Sequence, residues 1–269
     1  MTTDLDTDTG ESVLVTYLDD GLIGSLTLNR PGRRNAIDRD MAQRLLERLT
    51  ALGGDPNLRA LILRGAGDLA FCAGADLTER RQMTAVERSA HTAAIREVAD
   101  AIAALPIPVI GAVRGYALAG GAELAVACDL RVGGESTVFG FPEVGIGIFP
   151  GAGGVIRLPR LIHPGLAREL LYTGRQISST EAFRRGLLDR FVGDDDVDAT
   201  SHELARSIAA NAPLAVRALK EALRLSDGRP PLDAGTIVEK LRTPLDGTAD
   251  YQEGLLAFSE GRPPRFTGG

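Results

Sequence analysis

Hydrophobic positions along the chain follow two rhythms, one of two residues and one of three to four. Residues 13–17 and 23–28 are short β-type runs split by Asp19-Asp20-Gly21, which predicts a hairpin. Met41, Leu45, Leu46, Leu49 and Leu52 then recur at helical spacing, with Asp38 as the N-cap and Gly53-Gly54 as the stop. Residues 60–64 read as a buried strand, followed by a glycine-rich loop over 65–74. A second helix is predicted over 85–105, closed by Pro106-Ile107-Pro108, and residues 109–113 form a third core strand. Strands precede helices throughout, so the layout is α/β, and no internal sequence repeat stands out.

Beyond residue 166 the pattern turns helical. Ser178-Ser179-Thr180-Glu181 has the form of a capping box before a short helix that stops at Gly186. Further helices are expected over 202–211, 213–227 and 248–259, the second with Pro213 in a permitted first-turn position. The change of pattern lies near 195–200, where Gly193-Asp194-Asp195-Asp196 reads as a surface loop. The expected division is therefore an acidic, frayed tail over 1–11, an α/β core over 12–198 and a helical region over 199–269. Such a helical region either packs back on the core or meets another subunit.

Composition removes several function classes. The 269 residues can bury a sizeable core, and their 30 basic and 36 acidic side chains leave a net charge of −6. That balance gives no electrostatic footprint for nucleic acid. Charge or proline interrupts every apolar run before it reaches the length of a membrane span. The opening MTTDLDTDTGES has neither a basic nor an apolar region of the secretory kind, so a cytoplasmic location is expected. Cys72 and Cys128 read as buried reduced thiols, and His91, His163 and His202 lack metal-ligand spacing. Neither a metal nor a redox cofactor is expected.

The chemistry concentrates in residues 111–154, where Glu123 and Glu143 stand among glycine, alanine and aliphatic residues. Apolar surroundings raise carboxylate pKa values toward neutrality, which suits proton transfer. Gly115-Tyr116-Ala117-Leu118-Ala119-Gly120-Gly121-Ala122-Glu123 reads as a strand running into a helix whose first N–H groups are free to hold an oxygen that becomes anionic. The plainer alternative is a glycine-rich turn whose Glu123 complements the helix dipole. Phe141-Pro142-Glu143 puts the second acid after a fixed backbone and before an uncharged run over 144–155, though a solvated loop glutamate has the same sequence. Phe71-Cys72-Ala73-Gly74-Ala75-Asp76-Leu77 fits either a tight turn or a segment aiming the N–H of Ala75 into a pocket. In both cases Asp76 caps the next helix or holds the loop. Glycine spacing matches no dinucleotide fingerprint, and residues 149–154 lack the lysine of a P-loop.

Four segments taken together, LNRPGRRNA (28–36), FCAGAD (71–76), GYALAGGAELAVACD (115–129) and FGFPEVGIGIFPGAGG (139–154), resemble the crotonase superfamily of enoyl-CoA hydratases and isomerases in order and spacing. The resemblance covers residues 12–266. It implies the α/β crotonase (ClpP-like) fold, a superhelix of ββα turns with a C-terminal helical trimerisation region, assembled as a homotrimer or as a hexamer of two trimers. Carried over, the oxyanion hole falls on the N–H groups of Ala75 and Gly120, and the catalytic acids fall on Glu123 and Glu143. The substrate implied is an acyl-CoA thioester, with Arg33, Ala36, Ala73, Asp76, Leu77, Phe258 and Arg262 as binding positions. The Ala73 carbonyl would take the adenine amino group, and Arg262, Arg33 or Arg34 the CoA phosphates.

Possession of both acids points to hydration of a trans-2-enoyl-CoA, with Glu143 as the C2 proton donor and Glu123 as the base that orients water. A Δ3-Δ2 enoyl-CoA isomerase, another acyl-CoA lyase and a silent acyl-CoA-binding homologue are the alternatives. Departures from the family pattern are Ala119 for the first glycine of a triplet, Thr78 for a lysine, and Gly261 for a lysine near the C-terminus.

Overall fold

The computed structural model describes residues 10–269; most of the expected acidic tail therefore lies outside the described residues. Strands β1 (Val13–Leu18) and β2 (Ile23–Leu28) form the expected antiparallel hairpin, with Val13 opposite Leu28. Its turn holds Asp19 and Asp20 at φ 49° and 56°, left-handed values that short polar side chains tolerate. Helix α1 (Arg39–Gly53) starts where the Asp38 carboxylate accepts the N–H of Met41 at 2.8 Å, and it buries Met41, Ala42, Leu45, Leu49 and Leu52.

The chain then repeats one unit. Strands β3 (Ala60–Gly65) and β4 (Ala70–Cys72) lead to helices α2 (Leu77–Arg80) and α3 (Ala85–Ala104). Next, β5 (Val109–Val113) and β6 (Tyr116–Leu118) lead to α4 (Gly120–Ala127). After these, β7 (Leu130–Gly133) and β8 (Val138–Gly140) lead through a 3-10 turn, Pro142–Ile146, to α5 (Gly154–Leu161) and α6 (Pro164–Thr173). Strand β9 (Gln176–Ser178), α7 (Ser179–Arg184) and β10 (Arg190–Phe191) finish the sheets. Each unit adds one strand to a six-stranded sheet of order β1-β2-β3-β5-β7-β10 and one to a four-stranded sheet of order β4-β6-β8-β9. The pairings are parallel except at β1–β2 and β8–β9.

Two differences from the sequence reading arise here. The glycine-rich loop over 65–74 contains β4, whose three residues are too few to show a period. The ββα repeat left no sequence trace because its units share strand placement rather than residues, and α4 is less than half the length of α3.

The large sheet is buried on both faces, as a mostly parallel sheet requires. Leu61 and Leu63 face a core shared with α1, α3 and the small sheet, in company with Val98, Phe71 and Phe139. Ala60 and Ile62 point the other way, onto Val197, Ala205 and Ala209 of α8 (Val197–Ala209). Helix α8, which the change of pattern near 199 assigns to the helical region, thus covers the back of the sheet. The remaining helices are α9 (Pro213–Ser226), α10 (Pro231–Arg242) and α11 (Ala249–Glu260). The sequence reading missed α10, which buries no residue in this chain and carries Gly235 in its middle. Lys220 ties α9 to the core: its ammonium donates to the Ile107 carbonyl at 2.9 Å and pairs with Asp129 at 2.6 Å. Leu219, Leu223, Leu232, Leu255, Leu256 and Phe258 stay exposed on these helices. No helix among the described residues is long and apolar enough to cross a membrane.

Candidate active site

Residues 34–37 run beside 73–76 and bring two of the four family segments together. The Ala73 N–H donates to Arg34 O at 3.0 Å, the Ile37 N–H to Gly74 O at 2.8 Å and the Asp76 N–H to Ile37 O at 2.8 Å. Ile37 and Ala75 form an isolated parallel bridge. The Asn35 side chain is fully buried and holds this crossing: it donates to Ala66 O and Ala70 O and accepts the Arg30 N–H. Arg30 sits between Asp38, at 3.0 Å, and Asp76, at 3.1 Å. Sequence reasoning passed over both Arg30 and Asn35, although both belong to the LNRPGRRNA segment.

The start of α4 lies directly against this crossing. A Cβ on Gly121 would stand 2.1 Å from the Cys72 carbonyl oxygen, so only glycine lets the helix approach β4 so closely. Gly74, at φ +90°, leaves its missing Cβ 3.0 Å from the Gly120 nitrogen. A Cβ on Gly120 would lie 3.8 Å from the Ala75 nitrogen, so the two backbone nitrogens are neighbours. Gly120 is the first residue of α4, ahead of the intrahelical ladder, and its N–H is free for a ligand. Ala119, the residue in place of a glycine, takes φ 50° and ψ −126°, and its N–H donates to Gly140 O at 2.9 Å.

Both glutamates are buried, Glu123 to 2% exposure and Glu143 to 7%, so the solvated-loop reading of Glu143 is set aside. Glu123 Oε1 accepts the N–H groups of Ala152 at 2.7 Å and Gly154 at 2.8 Å. Burial raises the Glu123 pKa above the ordinary carboxylate range, while those two N–H groups and the charges of Arg157 and Arg96 oppose the rise. Glu143 has less support, since only its own backbone N–H favours the charged form. Its Oε2 is buried with no hydrogen-bond partner. Burial first, and then the charge of Glu123, push Glu143 up to about 7. Both pKa values are thus raised, but the charged form of Glu123 has two loop N–H groups and two arginines in its favour that Glu143 lacks.

The remaining expected positions divide. Ala36, Ala73, Asp76 and Leu77 stand at the crossing beside Ala75. Asp76 is occupied as the N-cap of α2, accepting from Thr78 and Glu79, and as a partner of Arg30. Although burial would raise its pKa, the Glu79 N–H, Arg30 and the Thr78 N–H leave it lowered. Leu77 is exposed, as is Arg33. Phe258 and Arg262 lie at the end of α11 and just past it, where Arg262 pairs with Glu253 at 2.6 Å and Glu260 at 2.5 Å. Those carboxylates raise the Arg262 pKa further. Cys72 and Cys128 are free and buried, as expected, and burial pushes both thiols up to about 12. Among the described residues no group of three or more His, Cys, Asp or Glu could hold a metal ion.

Comparison with known proteins agrees with this geometry. The family model for enoyl-CoA hydratase/isomerase matches residues 20–269. The chain is 40% identical over 259 residues to YngF of Bacillus subtilis, covering 96% of this chain and 99% of that one. It is 40% identical over 242 residues to the crotonyl-CoA hydratase of Syntrophomonas wolfei, covering 90% and 93%. The crystal structure of enoyl-CoA hydratase from Bacillus anthracis superposes with a TM-score of 0.94 at 39% identity, over 96% of this chain and all of that one. With the family model spanning most of its length and the two-sheet superhelix in place, the chain belongs to the enoyl-CoA hydratase/isomerase family and has the crotonase fold.

Proposed function

We propose that the chain is an enoyl-CoA hydratase that adds water reversibly across the double bond of a trans-2-enoyl-CoA. The observation that carries this reading is the unequal treatment of two buried acids beside a pair of backbone N–H groups. The thioester oxygen lies between the N–H groups of Ala75 and Gly120. Water, held by both glutamates, attacks C3 while Glu123 takes its proton. The π electrons move toward C2 and the thioester oxygen, whose developing charge the two N–H groups stabilise. Glu143 then delivers its proton to C2 on the same face, giving the 3-hydroxyacyl-CoA. Glu123 finishes protonated and Glu143 charged, so a proton returns through water before the next turnover. This sequence of steps is proton transfer and charge stabilisation, and it calls for no metal or redox cofactor.

Two relatives support this substrate class, the crotonyl-CoA hydratase of Syntrophomonas wolfei and the short-chain-enoyl-CoA hydratase of Clostridium acetobutylicum. Ala36, Ala73 and Leu77 line the approach from the crossing at Ala75, while Asp76 supports it from behind. Arg33, Phe258 and Arg262 reach the CoA moiety in the assembled enzyme, a homotrimer or a pair of trimers. The exposed leucines of α9, α10 and α11 favour such an assembly. The chain acts in the cytoplasm.

Purified protein with crotonyl-CoA should bleach the conjugated-thioester absorbance. No turnover on short, medium and long 2-enoyl-CoAs would end the hydratase reading. Much faster turnover of a 3-enoyl-CoA would assign the site to isomerisation, and light scattering of a monomer would remove the trimer.

A further inference from the structure

The N–H groups that hold Glu123 belong to Gly151-Ala152-Gly153-Gly154, and this loop is itself held from outside. Arg96 Nε, on α3, donates to the Gly151 carbonyl at 2.8 Å. Arg157, in the first turn of α5, donates from Nη1 to the Ala152 carbonyl at 3.1 Å, and its Nη2 pairs with Asp100 of α3. Thr92, Arg96 and Asp100 are four residues apart, which puts them in one stripe along α3. The loop's glycines show how tight the fit is. A Cβ on Gly151 would stand 2.5 Å from Thr92 Cγ2, and one on Gly153, at φ +103°, would stand 1.9 Å from Arg157 Nη1. One on Gly154 would press within 3.1 Å of Glu123 Oε1.

We propose that Arg157, Arg96 and Asp100 are positioning residues that clamp the 151–154 loop against α3 and so fix the two N–H groups that aim Glu123. None of the three touches the reacting atoms. The charged groups that face Glu123 are Arg157 from α5, Arg96 from α3 and Glu143 from the Pro142–Ile146 turn. Asp100 offsets one positive charge and directs Arg157 onto the Ala152 carbonyl. The clamp therefore does two things together: it sets the direction of Glu123 and favours its charged form.

The kinetic part of this inference rests on the hydratase reading, so the test carries a readout that does not. Arg157→Met and Arg157→Lys are compared with wild type in hydration of crotonyl-CoA over pH 5 to 9. In parallel, a carboxyl 13C titration is run on protein labelled at glutamate Cδ, with the Glu123 signal assigned by its loss in Glu123→Gln. For Arg157→Met, kcat should fall about tenfold or more with KM within about twofold. The acid limb of the profile and the Glu123 titration should both move up by about one pH unit. Arg157→Lys, which retains the charge, should restore most of the titration but less of kcat. Arg96 is exposed, so Arg96→Met should fold and shift both readouts the same way by less. It serves if Arg157→Met does not fold.

A fall in kcat or thermal stability with the Glu123 titration unmoved would overturn the inference and leave Arg157 a purely structural residue. Absence of hydration by wild type would defeat the hydratase reading alone, and the carboxyl titration would still decide the clamp.

Discussion

Glu123, on helix α4, has one carboxylate oxygen held by the N–H groups of Ala152 and Gly154, whereas Glu143, in the Pro142–Ile146 turn, has a buried oxygen that meets no donor. Both side chains are almost fully buried, so burial alone does not distinguish them. What differs is the backbone that faces them. A helix start presents N–H groups in fixed directions, and the glycines at 151, 153 and 154 let a neighbouring loop close over Glu123. Pro142, by contrast, has no N–H to offer, and the single turn it begins has carried Glu143 inside without supplying donors to that second oxygen. On the hydratase reading proposed above, the same side chain then has opposite duties, Glu123 accepting a proton and Glu143 giving one.

The widest break in this pairing comes from Glu143→Gln. It removes the donated proton but retains the shape, and kcat for hydration should fall by about 10³ with KM nearly unchanged. Wild-type hydration should itself decline as pH rises through about 7, because Glu143 loses its proton there. Dehydration of a 3-hydroxyacyl-CoA, which needs the charged form, should respond in the opposite sense. Stopped-flow absorbance in both directions reads the two limbs. A hydration rate flat from pH 6 to 9 would remove the acid role from Glu143.

Gly120→Pro tests the feature the two acids share. Proline is tolerated at the first position of a helix, so α4 should survive while one donor to the thioester oxygen is lost. The expected fall in kcat is about 10²–10³. Gly120→Ala keeps the N–H and adds only a methyl group 3.3 Å from Ile95 Cγ2, so it should lose far less. Equal losses in the two variants would mean that crowding, not the missing N–H, is responsible.

The parts of this site differ in how legibly they were written. Glu123 and Glu143 could be found because a carboxylate in an apolar, glycine-rich run is conspicuous. The hairpin, α1 and α3 could be read because their apolar periods are long and their caps are ordinary. The N–H of Ala75 and the free N–H groups at the start of α4 were legible only as one of two readings each, and the family resemblance chose between them, since a backbone N–H has no residue signature. Arg30, Asn35, Arg96 and Arg157 were missed for a related reason. They act by hydrogen bonds to carbonyls brought near by folding, and arginine is abundant throughout this chain. Helix α10 was missed because nothing in this chain buries it. Assignment of Asp76 to loop support was legible, as an acid just ahead of a helix is a cap before it is anything else.

A more modest effect sets catalysis against stability. The ordinary value for a glutamate is 4.5 and that of folded Glu143 is about 7, so between these values the folded state binds more protons than the unfolded one. Stability from this group is present in full below about 4.5 and is lost as pH rises to about 7. Glu143→Gln should accordingly be more stable than wild type at pH 8, by on the order of 2 kcal/mol, with little difference at pH 4.5. Glu123→Gln should gain less, because the charged Glu123 already has the N–H groups of Ala152 and Gly154. Urea unfolding of the three proteins at both pH values decides the matter, and equal gains from the two substitutions would erase the distinction between the acids.

The smallest expected effect lies at Ala119, between the two regions. Its φ of 50° and ψ of −126° belong to glycine, and a residue with a Cβ held there stores about 1–3 kcal/mol. Ala119→Gly should release that strain, less about 0.5–1 kcal/mol for the greater freedom of glycine in the unfolded chain. A net gain near 1 kcal/mol is expected from urea unfolding at neutral pH. Activity should change by no more than about twofold, since the N–H bond from residue 119 to Gly140 O still fixes the entry to α4. Loss of stability would mean that the methyl group packs usefully against its neighbours. A large fall in kcat with stability raised would be more instructive. It would show that the strained alanine, by stiffening the turn before Gly120, helps to aim the N–H that the unequal acids depend on.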